Sequence, residues 1–404
     1  MPKLNIFKII SGSLLITGTI IGAGMLAIPL VTFQAGFLPA VIITILVWVY
    51  MCLTGLLFLE ATLWMHKDAN ILSMSKRFLG NKGKIFAGAN FIFLYFCLMV
   101  AYFAAGAPLL KTFVLDIFNI NISGWGVYGI YGLIFGTIVY IGIKFVDRVN
   151  YILMIGLILS YIALVFAGNK AVEIDRLFFK NYKALIFVAP VLFTSFGFHN
   201  VIPSLTFYFK ENIKVMRWAI ILGSFIPLII YIVWQYLIIG AVSIEALQLA
   251  YSQGLPATDT LQSITNVSQI KSSGSSFALF AIVTSMLGVS FSIVDFLGDG
   301  LKLKRFGRDR LLLCLLTFIP PFVLSSLDPS LFIIAIGIAG GFGEAFLNGI
   351  LPAMLVWIGR YKMNLPSKMK VFGGKITLLL IFLIGALVML IEMFFIFKEY
   401  VVKN

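Results

Sequence analysis

The residues of this 404-residue chain that could do chemistry are few, and nearly all of them interrupt apolar sequence. Asp295 and Asp299 stand four apart, hence on one helix face, just before the basic stretch Lys302-Leu303-Lys304-Arg305. Glu344 ends the glycine-rich run Gly340-Gly341-Phe342-Gly343-Glu344. A carboxylate inside hydrocarbon is costly, and binding and releasing a proton is the chemistry it can do there. Asp295, the deeper of its pair, is expected to act in proton coupling or gating, with Glu344 a further candidate. Asp299 is expected to pair with the basic stretch at the inner mouth. Glu60 and Glu392 lie nearer the ends of apolar runs, where pairing or snorkelling accounts for them. Thr17 to Pro29 reads T-G-T-I-I-G-A-G-M-L-A-I-P, and Ala189 to Leu205 reads A-P-V-L-F-T-S-F-G-F-H-N-V-I-P-S-L. Both put glycine, proline and polar side chains in the middle of apolar runs.

The elements that hold these residues are membrane helices. Hydrophobic residues make up 61% of the chain and charged residues 11%, against about 25% charged in a soluble domain. Eleven hydrophobic spans are read, at about 8–33, 38–65, 85–110, 127–143, 147–168, 185–209, 217–240, 276–301, 311–327, 330–358 and 376–397. The net charge of +14 is scattered through short loops, a pattern of membrane orientation rather than of nucleic-acid binding. With the N-terminus inside, 22 of the 30 Lys and Arg fall on the inner side, which predicts a cytoplasmic N-terminus and an external C-terminus. The first span runs on through Phe33, too long for a signal-peptide core, and is expected to stay uncleaved. Cys52, Cys97 and Cys314 have no metal or disulfide spacing, and no metal is expected. The inner loop from Lys67 to Lys84 is read as an interfacial amphipathic helix with Ile71, Leu72, Phe78 and Leu79 against the membrane. The outer loop from Ala241 to Ser275 holds a short surface helix near Ala246 to Tyr251.

Glycine and proline weaken a helix interior by about 1 and 3 kcal/mol, and each break frees backbone groups that hydrocarbon cannot satisfy. Such breaks are tolerated where they are buried in protein or line a polar cavity. They fall in spans one and six, and five spans counted from each give two halves that start from opposite sides of the membrane. That arrangement points to an inverted-repeat transporter, an all-α polytopic membrane protein of 11 transmembrane helices with helices 1 and 6 broken. Residues 1–168 form the first repeat, 169–359 the second, and 360–404 an extra helix and tail. The N–H groups of Gly22, Ala23 and Gly24 would receive an amino acid carboxylate, with Thr19 and Met25 beside them. Carbonyls near Thr17 to Thr19, and near Phe196, would accept an ammonium group. Phe196 and Phe198 flank Gly197 and offer aromatic surface, while His199 and Asn200 would hydrogen-bond a polar end such as a phenol. Gly18-x-x-x-Gly22 is equally a small-residue packing motif, and an intramembrane histidine is often an interhelical donor.

At these two stretches the chain resembles the hydroxy/aromatic amino acid permeases, and among them most the bacterial tyrosine-specific permeases. Further matching pieces are Leu59-Glu60, Ile226-Pro227-Leu228 with Trp234-Gln235, Asp295-Phe296-Leu297-Gly298-Asp299 and Phe318-Ile319-Pro320-Pro321. The resemblance spans nearly the whole chain. It implies the LeuT-like inverted-repeat fold of the amino acid–polyamine–cation superfamily, in a bacterial inner membrane. It also implies a secondary active transporter that imports an aromatic amino acid, tyrosine first, by proton symport and without a cofactor.

Alternatives stay open on the residues. Tryptophan or another amino acid would suit the same glycine-rich break. A sodium-coupled symporter would use carbonyls of the first break with Thr284, Ser285, Ser290 and Ser292. A membrane enzyme built on His199, Asp295 and a serine lacks a metal-protease motif and a nucleophile elbow, and no ring of charges or filter-like segment suggests a channel. The expected partners are the amino acid and the bilayer, with no nucleic acid.

Overall fold

A computed structural model describes residues 6–66, 69–120, 124–264 and 268–403. The chain enters as α1 (Ile6–Ile20), breaks, and continues as α2 (Gly24–Thr32), the two axes bent by 62°. Then follow α3 (Phe37–Thr62), α4 (Ile71–Phe118), α5 (Trp125–Ile141) and α6 (Ile143–Gly168). The second broken segment is α7 (Ala189–Ser195) and α8 (Ile202–Tyr208), followed by α9 (Ile213–Ala241). Two shorter helices, α10 (Ile244–Gln253) and α11 (Ala257–Ile264), precede α12 (Ser268–Leu301) and α13 (Gly307–Leu327). The segment α14 (Leu331–Ile338) runs through a π-helical stretch, Ala339–Ile350, into α15 (Leu351–Tyr361), and α16 (Gly374–Lys403) closes the chain.

Among the described residues eight helices are long and apolar enough to cross a membrane, or nine with the bent pair α1 and α2 as one span. The expected eleven also needs the 17-residue α5 and the pair α7 and α8. At 1.5 Å per residue a seven-residue half-helix covers only about 10 Å, so neither α7 nor α8 can cross alone.

The broken segments sit centrally because neighbours satisfy them. α1 packs along α9, α2 against α7, and α12 along α6 and α4. Hydroxyl and indole groups stitch these contacts: Thr17 Oγ1 donates to the Gly223 carbonyl at 2.9 Å and Trp48 Nε1 to Ser224 Oγ at 3.0 Å. Gln235 Nε2 donates to Thr44 Oγ1 at 3.2 Å. Such bonds hold helices together where apolar burial gives no drive.

The loop expected on the inner side forms a helix, with Asn70 and Ser73 making a capping box and Gly80 at φ 74° kinking it away from the rest of α4. Lys67 lies outside the described residues. The expectation that its apolar face meets the membrane is corrected: Phe78 is buried, 5.9 Å from the Trp64 ring, and Ile71 and Leu79 pack on the protein core. The expected outer surface helix is α10, capped where Ser243 Oγ accepts from Ala246 N–H at 3.3 Å; residues 265–267 of that loop lie outside the described residues.

Glu60 at the end of α3 is almost fully buried. It accepts from Arg360 Nε and Nη2 at 2.7 and 2.5 Å, from Ser367 Oγ at 2.9 Å and from Val371 N–H at 3.0 Å. One carboxylate thus holds α15 and the linker to α16 against α3. Removing one member of a buried pair strands the other charge, at about 3–5 kcal/mol. Arg360→Met is therefore expected to lower stability by about that amount in detergent unfolding. Lys368→Met, which breaks the exposed 2.6 Å pair with Glu211, is expected to change it by less than about 1 kcal/mol.

Candidate functional site

The first break is Ile21, Gly22 and Ala23, the residues between the end of α1 and the start of α2. Hydrogen bonding resumes at Met25 N–H to the Gly22 carbonyl, 3.1 Å, and Leu26 N–H to the Ala23 carbonyl, 3.0 Å. Among the described residues no acceptor meets the amides of Gly22 and Ala23, which with Gly24 lie at the positive end of the nine-residue α2. Glycine is required here by close approach. A Cβ on Gly24 would stand 2.8 Å from Ser195 Oγ, and one on Gly22 would overlap Ser285 Oγ of α12. The second break, Phe196 to Phe198, opens after α7, where Gly197 faces Glu344: a Cβ there would stand 2.6 Å from its Oε1.

The two breaks share one cavity of about 1350 Å³. Gly22, Ala23, Gly24, Ser195, Gly197 and Glu344 surround its blind end, with Phe58, Tyr95, Leu98 and Tyr102 as an aromatic and aliphatic wall. Ser204 and Ser292 also line it, as do the exposed Asn81, Lys84 and Asp299 and the half-buried Asp295, toward the start of α4 and the end of α12. On the opposite side α10 and α11 pack on α2, and Gln34 Nε2 donates to Gln248 Oε1 at 3.1 Å. The pocket is thus reached from one face and covered on the other.

Of the residues expected at the site, Thr19, Gly22, Ala23, Gly24, Gly197, Asn200, Asp295, Asp299 and Glu344 line this cavity. Four do not, and these placements are corrections. Met25 is buried inside α2. Phe196 turns away onto the Tyr231 ring, 5.1 Å between centroids. Phe198 fills the space over Gly55, and His199 is fully buried with Nε2 2.9 Å from Thr54 Oγ1 and its ring edge-on to Phe58. A break resets the helical period, so residues on either side of Gly197 need not face the ligand together.

The carboxylates are also reordered. Asp295 and Asp299 both bind Arg305, at 2.8 and 2.6 Å, with side chains 42% and 73% exposed. Asp299 therefore makes its expected pair, and Asp295, expected to act in proton coupling or gating, shares that pair at the cavity mouth. The chain reverses at Lys302 (φ 55°), which folds Arg305 back beneath both. Glu344, by contrast, is buried beside the second break, and Asn348 one turn on donates to its Oε2. The π-helical stretch carries it, in a segment whose glycines admit close neighbours; a Cβ on Gly343 would stand 2.7 Å from Leu94.

Tyr95, Tyr102, Ser195 and Asn348 line the cavity without having been singled out. Tyr95 accepts from Asn200 Nδ2 at 3.2 Å. Asn348 was open to detection, being a polar residue four positions after Glu344 in an apolar run. The tyrosines lie in an unbroken span with nothing to mark them. Chemically, the site offers unpaired amide donors at one break and a buried carboxylate with amide and phenol groups at the other, walled by aromatic and aliphatic side chains. Gly22→Val is expected to abolish ligand uptake while leaving the protein inserted. Adding Ser285→Gly, which clears the overlapping hydroxyl, is expected not to restore it; restored uptake would make Gly22 a packing residue only.

The profile of the tryptophan/tyrosine permease family matches residues 6–392. The tyrosine-specific transport system 1 of Haemophilus influenzae is 35% identical over 393 residues, covering 94% of this chain and 95% of its own length. The tryptophan-specific transport protein of the same organism is 29% identical, covering 94% of each. Among solved structures, MhsT in complex with L-phenylalanine superposes with a TM-score of 0.64 over 97% of this chain and 98% of its own, at 14% identity, which establishes a shared fold. With two helices broken around one cavity, and with matches across nearly its whole length, the chain belongs to the tryptophan/tyrosine permease family, a family of membrane permeases rather than of enzymes.

Proposed function

We propose that this protein is a secondary active transporter that imports an aromatic amino acid, tyrosine first, by proton symport with alternating access. The observation that carries the proposal is the unpaired amides of Gly22 and Ala23, residues that with Gly24 line a cavity shared with the second break. Helix N-terminal amides favour a carboxylate, and glycine lets it approach the backbone. Phe58, Tyr95 and Tyr102 supply surface for a ring. The tyrosine-specific relative at 35% identity supports the choice of side chain. Tryptophan is the second reading, supported by the tryptophan-specific relative.

In this reading the protein lies in a bacterial inner membrane with its N-terminus in the cytoplasm. Residues 1–168 and 169–359 are two inverted repeats of five spans each, and α16 is the eleventh span. The open face, bearing Lys84 and Arg305, is then cytoplasmic, so the conformation is inward-facing. Glu344 is the carboxylate that carries the coupling proton: it lies between the second break and the bundle, so its charge state is felt at the pocket. Asp295 and Asp299 act with Arg305 as a gate at the inner mouth.

Uptake of labelled tyrosine into proteoliposomes, with proton and sodium gradients imposed separately, tests this. Accumulation is expected with the proton gradient alone. Accumulation with sodium alone overturns the ion, and failure of tyrosine to accumulate or compete while tryptophan does overturns the substrate. Glu344→Gln is expected to abolish accumulation yet keep tyrosine exchange, with Asp295→Asn affecting both far less.

A further inference from the structure

Tyr231, on α9, is fully buried behind the cavity and does not line it. Its hydroxyl oxygen lies 2.8 Å from the carbonyl of Ile20 and 2.8 Å from the carbonyl of Ser195. These are the last residues of α1 and α7, so the two acceptors are helix-end carbonyls at the two separate breaks. A phenol has one proton, which the two carbonyls must share or exchange. Phe196 packs edge-to-face on the ring, and Gln235 Nε2 donates to the Tyr231 backbone carbonyl at 3.2 Å while also reaching Thr44.

We propose that Tyr231 is a positioning residue for transport, a latch whose single hydroxyl proton ties the two broken helices together. The inference rests on the reading of the shared cavity as the substrate pocket. A ligand that contacts both breaks binds well only if their spacing is fixed before it arrives, because ordering them on binding would subtract from affinity. The hydroxyl fixes that spacing from outside the pocket. Its removal leaves two carbonyls at membrane depth without their shared donor, where no solvent replaces it.

Tyr231→Phe keeps the ring and its packing and removes only the latch. Backbone hydrogen exchange by mass spectrometry, in detergent without ligand, is expected to show at least about tenfold faster exchange in peptides covering both 20–26 and 195–201. Peptides of α9, α13 and α16 should stay unchanged. Acceleration at one break only, at neither, or throughout the protein overturns the latch. Transport kinetics, measured with the amino acid that the wild type accumulates, should show KM raised about tenfold and kcat within about twofold, one buried hydrogen bond being worth that much. A fall in kcat at unchanged KM also overturns it. Because the exchange measurement needs no ligand, an unsuccessful tyrosine assay of the wild type would count against the substrate reading and not against the latch.

Discussion

A helix broken inside a bilayer leaves amides and carbonyls that lipid cannot satisfy, and the rest of this structure depends on how those groups are met. At the two breaks the chain treats donors and acceptors differently. The helix-end carbonyls of Ile20 and Ser195 both face the Tyr231 hydroxyl, supplied by α9. The freed amides of Gly22 and Ala23 find no acceptor among the described residues, and both residues line the cavity. Donors are thus left for a ligand while the terminal carbonyls of α1 and α7 are met internally, which gives the cavity a positive end suited to a carboxylate. Close packing enforces the arrangement, since Gly22 and Gly24 touch Ser285 and Ser195 so nearly that a methyl group would displace them.

The buried and half-buried carboxylates divide by how they are paired. Glu60 accepts four hydrogen bonds from the Arg360 guanidinium, a serine and a backbone amide, which fixes it as a structural anchor for α15 and the linker beyond it. Asp295 and Asp299 share Arg305 at the open end of the cavity, where two exposed ion pairs are worth little in stability and can break and reform cheaply. Glu344 has a neutral partner, Asn348, and makes no ion pair among the described residues. An intramembrane carboxylate without a counter-ion is the one whose protonation a conformational cycle can exploit.

Much of this was legible from the residues. Glycine and proline inside apolar runs located both breaks, and the run of Lys and Arg after Asp299 announced its ion pair. The facing of side chains past a break was not legible. Phe196, Phe198 and His199 flank Gly197, yet all three turn into packed protein, because the 3.6-residue period does not carry across non-helical backbone. The ion pair of Asp295 was not legible, since nothing in its own helix shows that the chain reverses at Lys302 and returns Arg305 to it. Tyr231 was invisible for a similar reason: a tyrosine in an apolar span is unremarked until two carbonyls from distant segments converge on it.

The claim on which the rest stands is that the Gly22 to Gly24 amides receive the carboxylate of an amino acid. It is tested most directly by ¹⁵N-glycine labelling and observation of the Gly22 and Gly24 amide resonances during titration with tyrosine and, separately, with tyramine, which has the same ring and amine but no carboxylate. Both amides are expected to shift on adding tyrosine and to stay in place with tyramine. Equal shifts with the two ligands, or none with tyrosine under conditions where it is transported, would contradict it.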